Sequence, residues 1–266
     1  RTMKILVNGA AGKMGREVLK AVHNDTELQL VGGVDPNHGG KDLCEWVGTS
    51  PLEIYMYSDL TSAIDAVHPD VIVDFTTPAI IFENAKLMLS KGIHVVIGTT
   101  GLSEEQRATL DAIGREHNAN CLVAPNFSLG AVMMMKTAAQ LAPYFPDVEI
   151  IELHHNHKYD APSGTSVLTA KLINDAKVKA NVTASEDLTR ESLPGARGAK
   201  VDDVTIHSVR LPGYVAHQEV IFGGYDETLI IRHDSLSRLS FMPGVVLACK
   251  KIKDYPGLTY GLEHYL

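Results

Sequence analysis

Short apolar, β-rich runs alternate with helical patterns through the first half of the chain: Ile5 to Val7, Leu28 to Val34, Val71 to Phe75, Val95 to Ile97 and Leu122 to Ala124. That alternation predicts a parallel sheet with helices on both faces. Between the last two runs, Ser103-Glu104-Glu105-Gln106 reads as an N-terminal cap with acidic first-turn residues, ahead of a helix to about His117. The pattern then changes. Val148 to Leu153 reads as a strand, Pro162 interrupts the chain, and Ser163, Gly164 and Thr165 open a helix through roughly Lys177. A polar stretch over 180–200 reads as a long surface loop. β-rich segments from Val204 to Asp234, separated by Pro212-Gly213 and Gly223-Gly224, predict antiparallel strands. A final helical pattern runs from Met242 to about Lys253. The expected division is an α/β domain over 1–127, an α+β domain over 128–238, and a C-terminal segment over 239–266 that returns to the first domain.

The first apolar run leads straight into Gly9-Ala10-Ala11-Gly12-Lys13-Met14-Gly15, glycines spaced G-x-x-G-x-x-G before a helical pattern. Glycine permits the tight turn, backbone amides approach a pyrophosphate, and the helix start favours its charge. Asp35 ends the second apolar run, where an acid accepts hydrogen bonds from an adenosine ribose. Together these point to a Rossmann-like dinucleotide-binding domain. A Gly-rich turn is also simply a tight strand-to-helix connection, and Asp35 is also a turn residue before Pro36. Because Asp35 repels a 2′-phosphate and Pro36 offers no guanidinium, NADH is expected over NADPH, a preference softened by Lys13 and Lys41. Gly98-Thr99-Thr100-Gly101 and Ala124-Pro125-Asn126-Phe127 follow strand ends, where an open α/β sheet binds ligand; both can line a nicotinamide or be plain turns.

The segment Glu152-Leu153-His154-His155-Asn156-His157-Lys158-Tyr159-Asp160-Ala161-Pro162-Ser163-Gly164-Thr165 sets three imidazoles and an ammonium directly before a helix start. Histidine trades protons near neutral pH, Lys158 donates a proton or charged hydrogen bonds, and the first-turn amides of Gly164 and Thr165 suit a carboxylate or phosphate. The bland alternative is a set of polar residues at a strand end. No metal is expected: there is no His-Glu-x-x-His helix or Cys pair, and adjacent strand residues send His154 and His155 to opposite faces.

Composition narrows the class. The chain has 266 residues and a formal charge of −8, with no long Lys/Arg run, so nucleic acid and anionic membranes are not expected partners. Cys44, Cys121 and Cys249 form no paired framework, and no apolar stretch reaches membrane-spanning length, which fits a cytoplasmic protein.

Taken together, the G-x-x-G-x-x-G turn, Asp74-Phe75-Thr76, Gly98 to Gly101, Ala124 to Ser128 and above all Glu152 to Thr165 resemble the dihydrodipicolinate reductase family over nearly the whole chain. The resemblance implies reduction of a cyclic dicarboxylate by NADH or NADPH to tetrahydrodipicolinate, on the diaminopimelate route to lysine. It implies His154 and Lys158 as proton-transfer residues, His155, Gly164 and Thr165 at the substrate, and Gly9 to Met14, Asp35, Gly98 to Thr100 and Ala124 to Phe127 at the cofactor. It further implies a homotetramer joined through the second-domain sheet. Two positions depart from the family pattern: Pro36 stands where many relatives carry arginine, and Asn156 replaces a commonly basic residue. Two other classes compete. A dinucleotide-sensing module needs no His/Lys cluster, and a semialdehyde dehydrogenase needs an activated cysteine, for which Cys121 in its apolar run is poorly suited.

Overall fold

The computed structural model describes residues 1–266, which divide into two compact units: 1–128 with 241–266, and 129–240. The first unit contains β1 (Met3–Asn8), α1 (Lys13–Asn24), β2 (Leu28–Val34), α2 (Cys44–Val47), β3 (Met56–Tyr57), α3 (Leu60–Val67), β4 (Val71–Asp74), α4 (Ile81–Ser90), β5 (His94–Ile97), α5 (Glu104–Glu116) and β6 (Cys121–Val123). The second contains α6 (Leu129–Leu141), β7 (Asp147–His154), α7 (Gly164–Ala180), β8 (Ala199–Val201), β9 (Val204–Arg210), β10 (Ala216–Gly224) and β11 (Glu227–Ser235). The chain then re-enters the first unit with α8 (Met242–Lys251) and β12 (Leu258–Tyr260).

In the first unit a seven-stranded sheet runs in the order β12-β6-β5-β4-β1-β2-β3, with every pairing parallel. Parallel strands covered on both faces carry side chains inward on both sides, which is why β4 reads as unbroken apolar sequence until Asp74. Leu6, Ile72, Val95 and Ile97 meet Met88, Leu89 and Leu110 from α4 and α5 in one core. The expected cap at the α5 start proves to be a capping box: Ser103 accepts from the Gln106 amide and the Gln106 side chain accepts from the Ser103 amide. Two strands escape the sequence pattern. β3 has two residues and β12 three, too few for a period to register, and β12 depends on a partner, β6, far away in the chain. Asn120 ties that return down, donating to the Ile252 carbonyl and accepting from the Gly257 amide. The helix expected to about Lys253 ends at Lys251 and continues as a 3₁₀ turn over Ile252–Asp254.

In the second unit a five-stranded sheet runs β11-β10-β7-β9-β8. The antiparallel strands expected from Val204 to Asp234 are present, β9, β10 and β11 alternating in direction, while β9 lies parallel to β7. The reason is that α7 serves as a crossover, carrying the chain back so that β9 starts beside the start of β7. Val148, Ile150, Ile206, Val220 and Phe222 project to the face covered by α6 and α7, meeting Met134, Ala138, Ala170 and Ile173. Strand alternation sends Glu149, Ile151 and Ile221 the other way, where they border a 780 Å³ pocket with residues 183–187 and Arg197. Residues 181–198 hold no helix or strand, so the loop expected over 180–200 is present but is ended early by β8, which starts at Ala199.

Candidate active site

In the first unit, β1 sits at the switch point of its sheet, with strands added on both sides and the Gly-rich turn at its C-terminal end. Gly9 has φ +80°, and a Cβ there would stand 2.1 Å from the Phe75 carbonyl oxygen. A Cβ on Gly15 would meet the Gly9 oxygen at 2.0 Å, so turn and helix pack backbone on backbone. The Gly9 and Ala10 amides donate to Val34 O, and the Gly12 amide to Gly9 O. The Ala11 amide and the first-turn amides of Lys13 and Met14 are thus the donors left for an anion. Gly12 provides no side-chain cap and the first turn of α1 carries no acid. This start suits a pyrophosphate.

Asp35 follows β2; its carboxylate accepts from the Asn37 amide at 2.9 Å, and His38 Nε2 lies 4.0 Å away. A 580 Å³ pocket bounded by Pro36, Asn37, Tyr55, Tyr57 and Asp59 follows in the chain, with no Lys or Arg in its lining. Gly98, Thr99, Thr100, Ala124 and Pro125 line one smaller pocket of 80 Å³, closed by Tyr260. Asn126 and Phe127 do not line it: the Asn126 side chain accepts from the Ser128 amide, and the Phe127 ring packs 5.8 Å from that of Phe75. Beneath the loops lies Asp74, fully buried, accepting from Asn8 Nδ2, Thr76 Oγ1 and Thr99 Oγ1 at 2.7–2.8 Å. Burial pushes its carboxyl above the ordinary carboxylate range, against those donors.

In the second unit, β7 delivers Glu152 and His154 to the same face, two residues apart, and His155 lies just beyond the strand end. Glu152 has no exposed surface, yet it collects donors on both oxygens. His154 Nδ1 lies 2.5 Å from Oε2, Arg210 reaches both oxygens at 2.8 Å, and the Ser163 amide donates to Oε1 at 3.2 Å. Burial opposes its ionisation, but hydrogen bonds from His154, Arg210 and Ser208 outweigh burial and hold its carboxyl at about 2. Lys158 Nζ is 2.7 Å from Asp160 Oδ1, and Arg210 also donates to the Asp160 carbonyl at 2.7 Å. Ser163 caps α7 by accepting from the Ser166 amide. The adjoining Gly164 is exposed, with open space for 4 Å around the point a Cβ would occupy, and Thr165 is half-buried. His155 is exposed and accepts from the His157 amide. No group of three His, Cys, Asp or Glu is arranged to hold a metal ion.

His154, Lys158 and the start of α7 are therefore brought together around Glu152 and Arg210, two residues to which the sequence reading gives no role. Glu152 was within reach of it, since a strand puts residues i and i+2 on one face. Arg210, 58 residues further on, has no local signal.

The family profile "Dihydrodipicolinate reductase, N-terminus" matches residues 3–127, and its C-terminal counterpart matches 130–266. The chain belongs to the dihydrodipicolinate reductase family. It is thus an NAD(P)H-dependent oxidoreductase. The family's 4-hydroxy-tetrahydrodipicolinate reductase from Syntrophomonas wolfei is 46% identical over 263 residues, covering 99% of this chain and 98% of its own. That of Listeria monocytogenes is 45% identical over 264 residues, covering 99% and 100%. A dipicolinate-bound dihydrodipicolinate reductase from Paenisporosarcina sp. TG-14 superimposes with a TM-score of 0.89 at 41% identity, covering all of both chains. An amine dehydrogenase from Mycobacterium smegmatis, at 14% identity and TM-score 0.65, shares the fold alone. No helix of this reductase is long and apolar enough to cross a membrane.

Proposed function

We propose that the protein reduces 4-hydroxy-tetrahydrodipicolinate to tetrahydrodipicolinate on the diaminopimelate route to lysine. The observation that carries this reading is the grouping of His154, Lys158 and an open helix start around one buried ion pair, Glu152 with Arg210. Such a grouping suits a doubly negative ring that must also gain a proton. The first-turn amides of Gly164 and Thr165 bind one substrate carboxylate, and His155 contacts the substrate at the same end. In the overall change the ring loses its hydroxyl as water and gains one hydride and one proton. Reduced nicotinamide, when bound, supplies the hydride. Lys158 gives up its contact with Asp160 and donates the proton, while His154 accepts or donates through Nε2, its other nitrogen being committed to Glu152.

The residues present fit a dinucleotide. The unpaired amides of the α1 start hold the pyrophosphate, Asp35 accepts from the adenosine ribose, and the loops at Gly98 to Thr100 and at Ala124 and Pro125 hold the nicotinamide. The absence of any Lys or Arg from the pocket after Asp35 supports NADH as the preferred donor. Steady-state assays with NADH and NADPH side by side, the unstable substrate being generated in place, test both statements. Turnover with a higher kcat/KM for NADH is expected; no turnover with either would overturn the reading.

We also propose a homotetramer, in which the sheet face of the second unit that no helix covers, carrying Ile151, Ile221 and the exposed Ile230, is buried between copies. Light scattering should give four times the chain mass, and Ile230→Glu should lower it.

A further inference from the structure

Glu152 spends a buried negative charge on a position that carries no proposed substrate or cofactor contact, so its value must lie in what it holds. Its Oε2 faces both His154 Nδ1 and Arg210 Nη1, while Oε1 receives Arg210 Nη2 and the Ser163 amide. An ionised carboxylate has only acceptors, so a hydrogen must stand on Nδ1; without it two lone pairs would confront each other inside the protein. With Nδ1 protonated, a neutral His154 has its lone pair on Nε2, and a charged one has its transferable proton there. The hydrogen bonds that hold Glu152 at about 2 keep it ionised throughout the neutral range. Arg210, by its two-point grip, prevents the carboxylate from rotating out of line with the imidazole.

We propose that Glu152 is a positioning residue: it fixes the ring orientation and tautomer of His154 so that Nε2 is the nitrogen offered to the substrate, with Arg210 holding Glu152 for that task. The same carboxylate binds the Ser163 amide, and Arg210 binds the Asp160 carbonyl, so one pair sets the histidine, the α7 start and the lysine-bearing loop against each other. This inference rests on the proposed role of His154 as a proton-transfer residue, but its structural half is measurable without turnover.

The test is ¹⁵N NMR of histidine-labelled protein above the titration range of the imidazoles, with His154 assigned by comparison with His154→Asn. The expected wild-type spectrum has His154 as the Nδ1–H tautomer, and Glu152→Gln, whose amide can donate as well as accept, yields the Nε2–H form or a mixture. A wild-type His154 carrying its proton on Nε2 overturns the inference even if the enzyme is active. Kinetics supply the second arm: Glu152→Gln is expected to lose about 10- to 100-fold in kcat, with the NADH dissociation constant unchanged. Where Glu152→Gln fails to fold because Arg210 is left unpaired, Glu152→Gln with Arg210→Met removes both charges and carries the same two readouts. Wild-type kcat with an unmoved tautomer in either variant also overturns it. An inactive wild type would instead sink the proposed function, and the tautomer measurement would still judge the positioning of His154.

Discussion

His154 and Lys158 differ in how firmly they are held. His154 has a 15% exposed side chain and a fully buried partner, whereas Lys158 is paired with an Asp160 whose side chain is 59% exposed. An exposed ion pair is worth little net and is readily exchanged, so Asp160 can release the ammonium to a substrate without large cost. His154→Ala and Lys158→Ala are each expected to lower kcat by about 10²-fold or more, the usual scale for acid–base groups, with circular dichroism unchanged. Near-normal turnover in both would remove their assigned roles. At the other end of the reaction, Pro36→Arg supplies the missing guanidinium beside Asp35. It should raise kcat/KM for NADPH by about 10-fold, the worth of one charge-assisted hydrogen bond, with little change for NADH. At this scale the sequence was most legible where the groups of the proposed site sit in one stretch, as in His154 to Thr165. It was blind to Arg210, because a side chain arriving from another strand leaves no mark near its partner.

Helix starts do the anion-binding work proposed for both units, and the two are built differently. α1 begins on Gly12 with no side-chain cap, while α7 has Ser163 accepting from the Ser166 amide, so the Gly164 and Thr165 amides remain for a ligand. Gly164 is the first helical residue of α7, a position that tolerates proline, and Ser163 already has the extended φ −63°, ψ 151° that a following proline requires. Gly164→Pro therefore deletes one amide donor without disturbing the helix. Substrate KM should rise by about 10-fold with melting temperature held or slightly raised; an unchanged KM would show that this amide does not bind the substrate. Caps of this kind were readable in advance, as Ser103 with Gln106 shows, because they depend on neighbours three residues apart. The pairing of β9 with β7 was not: only the return path of α7 sets the two side by side and parallel.

Across the whole molecule, two buried carboxylates pull stability in opposite directions with pH. Glu152 has a folded value of about 2 against an ordinary 4.5, so the stability it contributes is complete above about pH 4.5 and is lost as pH falls towards 2. Asp74 is shifted upward, so its ionisation costs stability at neutral pH and acid relieves that cost. Urea midpoints measured at about pH 6 and about pH 3 should separate them. Relative to wild type, the drop on acidification is expected to shrink in Glu152→Gln and to grow in Asp74→Asn; equal drops in all three would mean that neither group dominates the acid response. The division into units has the same long-range character, since residues 241–266 join the first unit across more than a hundred intervening positions.

The longer strands of the first unit, the Gly-rich turn, the helix caps and the grouping of His154 to Thr165 before a helix start were all fixed by interactions among neighbours in the chain, so composition and spacing carried them. Period, turn chemistry and capping act over a few residues, and that is the range within which a linear reading has force. Pairings made across the fold lay beyond it: β12 beside β6, β9 parallel to β7, and Arg210 on Glu152. Each joins segments brought together only by packing of the core, where the energy of burial, and not local preference, selects the partner.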